Sequence, residues 1–370
     1  MRERALEALA ALFRPLRFLK GRFPLLFYVL GRLFAMAAML FFLGLAVFGL
    51  MALAPGDIVD QVMMQQIFSG RAGGDAGFGG GMAMDERFLG PEQFAAMRAE
   101  LGLDQPFYVQ YFRWLRRVIL YGDLGVGLIS RAPVSFLIWS RLLNSLLLNS
   151  ISLVFITVFS FALGVYFSSK AGGRSDLAVC FISLVLHAFP GLLLLILLQL
   201  FAAATGLFPV TGYPPFPFSE DPAAFALSYA HHIFLPLLAA FLGGLGGTLR
   251  MIRAMMLDQL GQPYITSLRT RGIAEWRVYL THAFRNTLNP FITGSANMLA
   301  GLFSGSLILE IIFAYPGIGR LMYEAVMQQD VNLVMANLMF ISALVLAGMA
   351  IADILLALAD PRVRYGKGRD

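Results

Sequence analysis

The chain has 370 residues, of which 58% are apolar and 14% charged, with a mean hydropathy of +0.73 and a net charge of +6. Soluble folds carry about 25% charged residues and could not hide this much apolar surface, and disordered chains are poor in apolar residues, so both classes are excluded. The single cysteine, Cys180, excludes a disulfide framework and a cysteine-based zinc site, and the basic residues cluster between apolar runs, which points to membrane topology rather than to nucleic acid.

A helix crossing about 30 Å of hydrocarbon needs about 20 mostly apolar residues. Residues 1–27 precede the first such run. They place Leu6, Leu9, Leu12, Phe13, Leu16 and Leu19 near one face, with Arg14, Arg17 and Lys20 elsewhere. The pattern is either an amphipathic helix lying on the inner leaflet or a loosely ordered basic tail. The first span is 28–54. Ala52-Leu53-Ala54 resembles a signal-peptidase site, but a run of about 27 apolar residues far exceeds the roughly 7–15 of a signal peptide, which predicts an uncleaved helix. An outer loop covers 55–141, with a Gly-rich insert at 69–84. In its second part, Pro91-Glu92-Gln93 opens a helix that Gly102 ends, and another follows Pro106, carrying Tyr108, Tyr111, Trp114 and Leu115.

Five more spans follow at 142–169, 177–204, 230–256, 286–313 and 332–358, within a core of residues 142–366. The predicted fold is an all-α polytopic membrane protein with six transmembrane helices. With the N-terminus inside, inner segments hold 19 basic residues and the two short outer loops hold only Arg320. The long outer loop holds eight, but loops of that length largely escape the positive-inside rule. Both termini are therefore expected inside.

Catalytic constellations are scarce. A P-loop needs Gly-Lys-Ser/Thr to hold phosphates, and here Gly366-Lys367 is followed by Gly368. His231 and His232 are adjacent, which on a helix points them about 100° apart and argues against a metal site. His187 sits inside the third span; it either lines a cavity or bonds a neighbouring helix. Glu310 and Asp353 lie near span ends, so the midplane acids expected of an ion-coupled carrier are missing. Neutral polar residues inside the spans, among them Asn149 and Asn297, either join helices or, with His187, face a translocation path.

Residues 257–285 form a polar inner segment that is helix-compatible on both sides of Gly272. A helix–Gly–helix hairpin of this kind suits docking to a soluble partner. The stretch Tyr264-Ile265-Thr266-Ser267-Leu268-Arg269-Thr270-Arg271-Gly272-Ile273-Ala274-Glu275-Trp276-Arg277, followed by His282-Ala283-Phe284-Arg285-Asn286-Thr287-Leu288-Asn289-Pro290, resembles the EAA coupling loop of ABC-importer permeases. Further stretches agree in order: Ala54-Pro55-Gly56-Asp57; Leu101-Gly102-Leu103-Asp104-Gln105-Pro106 with Gly122-Asp123-Leu124-Gly125; residues 206–213; Glu310 to Arg320, which contains Tyr315, Pro316, Gly317 and Gly319; and Asp360 to Gly366. Together they resemble the dipeptide/oligopeptide/nickel permease family, first-subunit type, over residues 28–366. The chain departs from it at Leu268 and Thr270, where the family has small residues, and in the long Gly-rich insert and the basic N-terminus.

The resemblance implies a multi-pass subunit of a bacterial inner membrane. It would work with a second homologous permease, two ATPase subunits that hold the ATP and magnesium, and an extracytoplasmic solute-binding protein. The chain itself would bind no cofactor or metal, would catalyse nothing, and would touch membrane lipid. Leu268, Arg269, Arg271, Gly272, Glu275 and Trp276 would form the ATPase-coupling loop. Trp276 either fills a groove on the ATPase or packs under its own helix or at the membrane surface. Peptides lead as substrate; nickel or another small solute is the alternative within the family, and an ion-coupled secondary transporter is the alternative outside it.

Overall fold

The computed structural model describes residues 24–53, 102–127, 130–288 and 305–359, with single positions 59, 95, 96, 98, 99, 291 and 302. The N-terminal amphipathic segment, the Gly-rich insert, Asn297 with half of the 286–313 span, and the C-terminal motif lie outside the described residues. Among the described residues the regular structure is helical, with one isolated bridge between Val126 and Pro133. They divide into two units, one of residues 1–123 with 338–370 and one of 124–337.

In the first unit, α1 (Pro24–Leu53) carries the amphipathic α2 (Phe107–Tyr121). Tyr111 is the contact that seats α2. It is fully buried between Phe41 and Phe48, its hydroxyl donates to the Phe41 carbonyl at 2.9 Å, and its ring passes so close to Gly44 that a Cβ there would lie 2.7 Å away. The predicted stop at Gly102 is a Schellman turn: Gly102 has φ +71°, and the Leu103 N–H reaches the Arg98 carbonyl.

The second unit is built on two long helices, α3 (Val134–Ser168) and α6 (Pro222–Leu260). Both run beyond the apolar segments 142–169 and 230–256, because caps rather than hydropathy end a helix. Asp221 caps α6, accepting from the Ala223 and Ala224 N–H groups at 3.0 Å, with Pro222 at the first helical position.

The 177–204 segment is not the single straight helix that its composition suggests. It is two helices, α4 (Arg174–Ala188) and α5 (Gly191–Thr205), bent by 92° at Phe189-Pro190. Pro190 lacks the N–H that would continue the ladder, and it pushes Phe189 into the extended backbone seen there, with ψ 129°. After α6 come α7 (Pro263–Thr270), α8 (Glu275–Arg277) leading into a π-helical stretch (Val278–Ala283), α9 (Leu307–Ile312) and α10 (Ile318–Met327). The last helix, α11 (Val331–Ala359), contains the 332–358 run. Among the described residues four helices are long and apolar enough to cross a membrane, and the bent α4–α5 pair makes a fifth if it counts as one span. The protein is an all-α membrane protein.

Small residues let these helices approach. A Cβ on Gly164 would meet Ile252 at 2.8 Å, one on Gly244 would meet Ile156 at 2.5 Å, and one on Gly246 would meet the Ser183 carbonyl at 2.5 Å. Without a hydrophobic drive between helices in lipid, such close packing is what holds them. Asp176, 1% exposed, adds an ionic clasp between α4 and α6. Its carboxylate accepts twice from the Arg253 guanidinium at 2.7 Å and once from the Gly172 N–H at 2.9 Å. Removing either partner of such a pair strands a buried charge, at about 3–5 kcal/mol, whereas replacing both with apolar residues is close to neutral. In thermal unfolding of the purified chain, Asp176→Ala and Arg253→Ala are each expected to lower the midpoint, and Asp176→Leu with Arg253→Met to recover most of the loss. Additive losses in the double variant would contradict the clasp.

Candidate functional site

Residues 257–288 form two helical arms joined at Gly272. The first arm, α7, begins after Gln262 with Pro263 at the first helical position and ends in a second Schellman turn. The Ile273 N–H reaches the Leu268 carbonyl at 3.3 Å, the Gly272 N–H reaches the Arg269 carbonyl at 2.9 Å, and Gly272 has φ +72°. Nothing lies within 4 Å of where a Gly272 Cβ would be. Glycine is required here by backbone conformation, not by space.

The second arm runs through α8 and the π-helical stretch into helical residues 284–288. The two arms share a small core of Ile265, Val278 and Ala283 with Val165 of α3 and Met256 of α6. Leu268 packs against this core, so the larger residue at that position points into the hairpin.

Arg269 and Glu275 pair with each other across the turn, with N–O distances of 2.9 and 3.3 Å. The Glu275 hydrogen bond holds the Arg269 guanidinium above its ordinary pKa. Both side chains are exposed, and such pairs contribute little to stability, roughly 0–1 kcal/mol; this one fixes the shape of the turn. Arg271 and Gly272 form the exposed tip. Trp276 is 59% exposed and turned towards α3: it lines a groove with Phe161, Tyr166 and Phe284, and the Arg277 guanidinium lies 5.1 Å from its ring centroid.

The second locus is the loop from Ala314 to Arg320, organised by Glu310. In the sequence this residue is an acid near a span end and the first residue of the Glu310–Arg320 motif, and neither reading gives it the role it has in the structure. It is fully buried. One carboxylate oxygen accepts from the Ser145 hydroxyl (2.8 Å) and the Ser306 N–H (3.2 Å); the other accepts from the Arg320 N–H (2.9 Å). Ser145 in turn accepts from the Ile318 N–H at 2.8 Å. Gly317 makes room for this carboxylate: a Cβ there would fall 2.2 Å from the Glu310 carboxyl carbon. One on Gly319 would meet the Leu307 backbone at 3.0 Å and a Glu310 oxygen at 3.1 Å.

Tyr315 is buried and donates to the Asn144 carbonyl at 2.8 Å, so the Tyr229 hydroxyl, also at 2.8 Å, must donate to Tyr315. Burial raises the Tyr315 pKa far above the ordinary tyrosine value, which keeps that donor in place. Pro316 gives its carbonyl to the Asn144 amide at 3.0 Å.

Of the three residues weighed for a translocation path, Asn149 donates its amide to the Leu302 carbonyl at 2.9 Å, and His187 is exposed beside Gly247 of α6. Asn297 lies outside the described residues, so no shared lining is assembled from them.

Residues 157–365, from the middle of α3 through the hairpin and the Glu310 loop, match the family described as binding-protein-dependent transport system inner membrane component. The chain belongs to this family. It is a transport component, not an enzyme, and a multi-pass protein of the inner membrane. Relatives of this permease include the oligopeptide transport system permease protein AppB of Bacillus subtilis (strain 168), 35% identical over 266 residues, covering 71% of this chain and 83% of that one. The dipeptide transport system permease protein DppB of Escherichia coli (strain K12) is 29% identical over 302 residues, covering 76% and 88%. The resemblance drawn from the motifs is thereby confirmed.

Two substitutions test the geometry. Gly317→Ala is expected to destabilise the permease by about 1–3 kcal/mol through overpacking, and by much less in a Glu310→Ala background, where the obstructing carboxylate is gone. Equal penalties in the two backgrounds, measured by denaturant unfolding, would show that Glu310 is not the obstacle. At the hairpin, Gly272→Val should cost roughly 1–2 kcal/mol and Gly272→Asn clearly less, because asparagine tolerates the left-handed region. Protection of the Ile273 amide in hydrogen exchange reads the turn directly, and equal protection in the two variants would contradict it.

Proposed function

We propose that this permease forms one transmembrane half of an ATP-driven importer of peptides, paired with a second, homologous permease. Two ATPases would dock on the inner side, and an extracytoplasmic binding protein would deliver the substrate. The observation that carries this reading is the exposed, left-handed Gly272 at the tip of a hairpin whose core is shared with two long helices, inside the segment that matches the family. The peptide substrate is supported by the relatives AppB and DppB, permease proteins of an oligopeptide and a dipeptide transport system.

ATP and magnesium would be held by the partner ATPases, since this chain has no Gly-Lys-Ser/Thr sequence. The excess of basic residues on one side supports both termini inside and six spans, with 286–313 as the fifth. Of the coupling-loop residues, Arg271 and Gly272 would meet the ATPase, Arg269 and Glu275 would set the turn, and Leu268 would hold the arms together. Because the hairpin packs on α3 and α6, displacement of its tip would move those helices as a rigid body, which is the motion alternating access needs.

The test is reconstitution of the chain with its second permease, ATPases and binding protein in proteoliposomes. Labelled peptide should accumulate only with ATP and all components present. Gly272→Val, which the left-handed turn does not tolerate, should leave assembly intact and hydrolysis running while uptake falls. Uptake driven by an ion gradient without the ATPases would overturn the reading in favour of a secondary carrier, and wild-type uptake by the Gly272→Val complex would remove the hairpin as the transmission element.

A further inference from the structure

We propose that the groove between α3 and the second arm of the hairpin binds an anionic phospholipid, with an acyl chain along the groove and the headgroup on Lys170 and Arg277. The groove encloses about 420 Å³, and its walls are apolar and aromatic: Phe161, Val165 and Tyr166 on one side, Trp276, Leu280 and Phe284 on the other. It lies where α3 ends at Ser168 and where the chain re-enters the apolar run beginning at 286. That is the level at which tryptophan and tyrosine collect at a membrane–water boundary.

Each wall of the groove carries a cation stacked on a lining ring. Lys170 lies 4.5 Å from the Tyr166 centroid and Arg277 lies 5.1 Å from that of Trp276. Both cations are exposed, and among the described residues no acidic side chain lines the groove. An apolar trough bordered by two positive charges is complementary to an amphiphile with a negative head. A basic occupant, such as the N-terminal segment with its arginines, would be repelled by the same cations.

Assignment to the inner leaflet rests on the orientation proposed above. The experiment needs neither transport nor ATPases, so its failure is separable from failure of that reading. The full chain is placed in phosphatidylcholine nanodiscs containing, as a minor component, dibrominated phosphatidylglycerol or dibrominated phosphatidylcholine. Quenching of Trp276 is read as the difference between wild type and Trp276→Phe. The phosphatidylglycerol probe should quench at lower mole fraction than the phosphatidylcholine probe. Lys170→Gln and Arg277→Gln should each reduce that preference about fivefold, as expected for one cation near an anionic headgroup. Raising salt should weaken the preference in the unsubstituted chain, a check that needs no variant. Equal quenching by the two lipids would overturn the proposal, and so would absence of Trp276 quenching, which would mean that protein rather than lipid fills the groove.

Discussion

Inside a bilayer no water is available to satisfy a backbone N–H or C=O, so every interruption of a helix must be closed by the protein itself. The irregular points of this chain obey that constraint in different ways. At Phe189-Pro190 the Phe189 N–H still reaches the Val185 carbonyl, the Pro190 carbonyl accepts from the Leu194 N–H, and proline itself has no donor to leave unpaired. At Ala314 the chain adopts φ +49° without a glycine, closing α9 through a Tyr315 N–H to Glu310 carbonyl bond. The remaining carbonyls at the end of α9 are taken up from outside the helix, Ile312 by the Gln199 amide and Phe313 by the Gly212 N–H, both at 2.6 Å. The Glu310 carboxylate then collects the donors that the following turn leaves over.

A buried carboxylate is an expensive way to close a loop unless every lone pair is used, because its desolvation is of the same order as the interactions it gains. Three donors converge on Glu310, and Gly317 makes room for it. The same logic holds for Asp176, whose bidentate arginine and backbone donor offset its burial. Both acids are buried and fix where two chain segments meet.

Much of this architecture was legible in the sequence, for reasons that also mark where legibility ended. The long apolar helices α1, α3, α6 and α11 showed because runs of about 20 apolar residues have few other uses. The hairpin turn showed because a lone glycine between two helix-compatible polar stretches signals a left-handed cap. Helix ends were harder: α3 starts at Val134 and α6 at Pro222, in segments whose hydropathy says nothing about helicity. The bend at Pro190 was written in the sequence but was outweighed by the apolar run around it. The Arg269–Glu275 pair spans six residues, outside the three- or four-residue spacing that a helix would advertise. Asp176 and Arg253 are 77 apart, and Glu310 and Ser145 are 165 apart. No local pattern announces contacts at such separations.

What joins these contacts into one mechanical object is α6. Its 39 residues make a rod of roughly 58 Å at 1.5 Å per residue, nearly twice the hydrocarbon thickness. Near one end Tyr229 is bonded to Tyr315 of the Glu310 loop; near the other Met256 is buried in the hairpin core. Between them Gly246 lies against the backbone of α4, and Arg253 holds Asp176. Packed interiors of this kind resist gradual deformation and shift between discrete arrangements. Through these contacts α6 links the hairpin core to α4, from which α5 is separated by the 92° bend. α6 itself carries a proline, Pro236, yet stays one helix through it, whereas at Phe189-Pro190 the chain leaves the helix, and no helical hydrogen bond of Pro190 has to break for the angle between α4 and α5 to change.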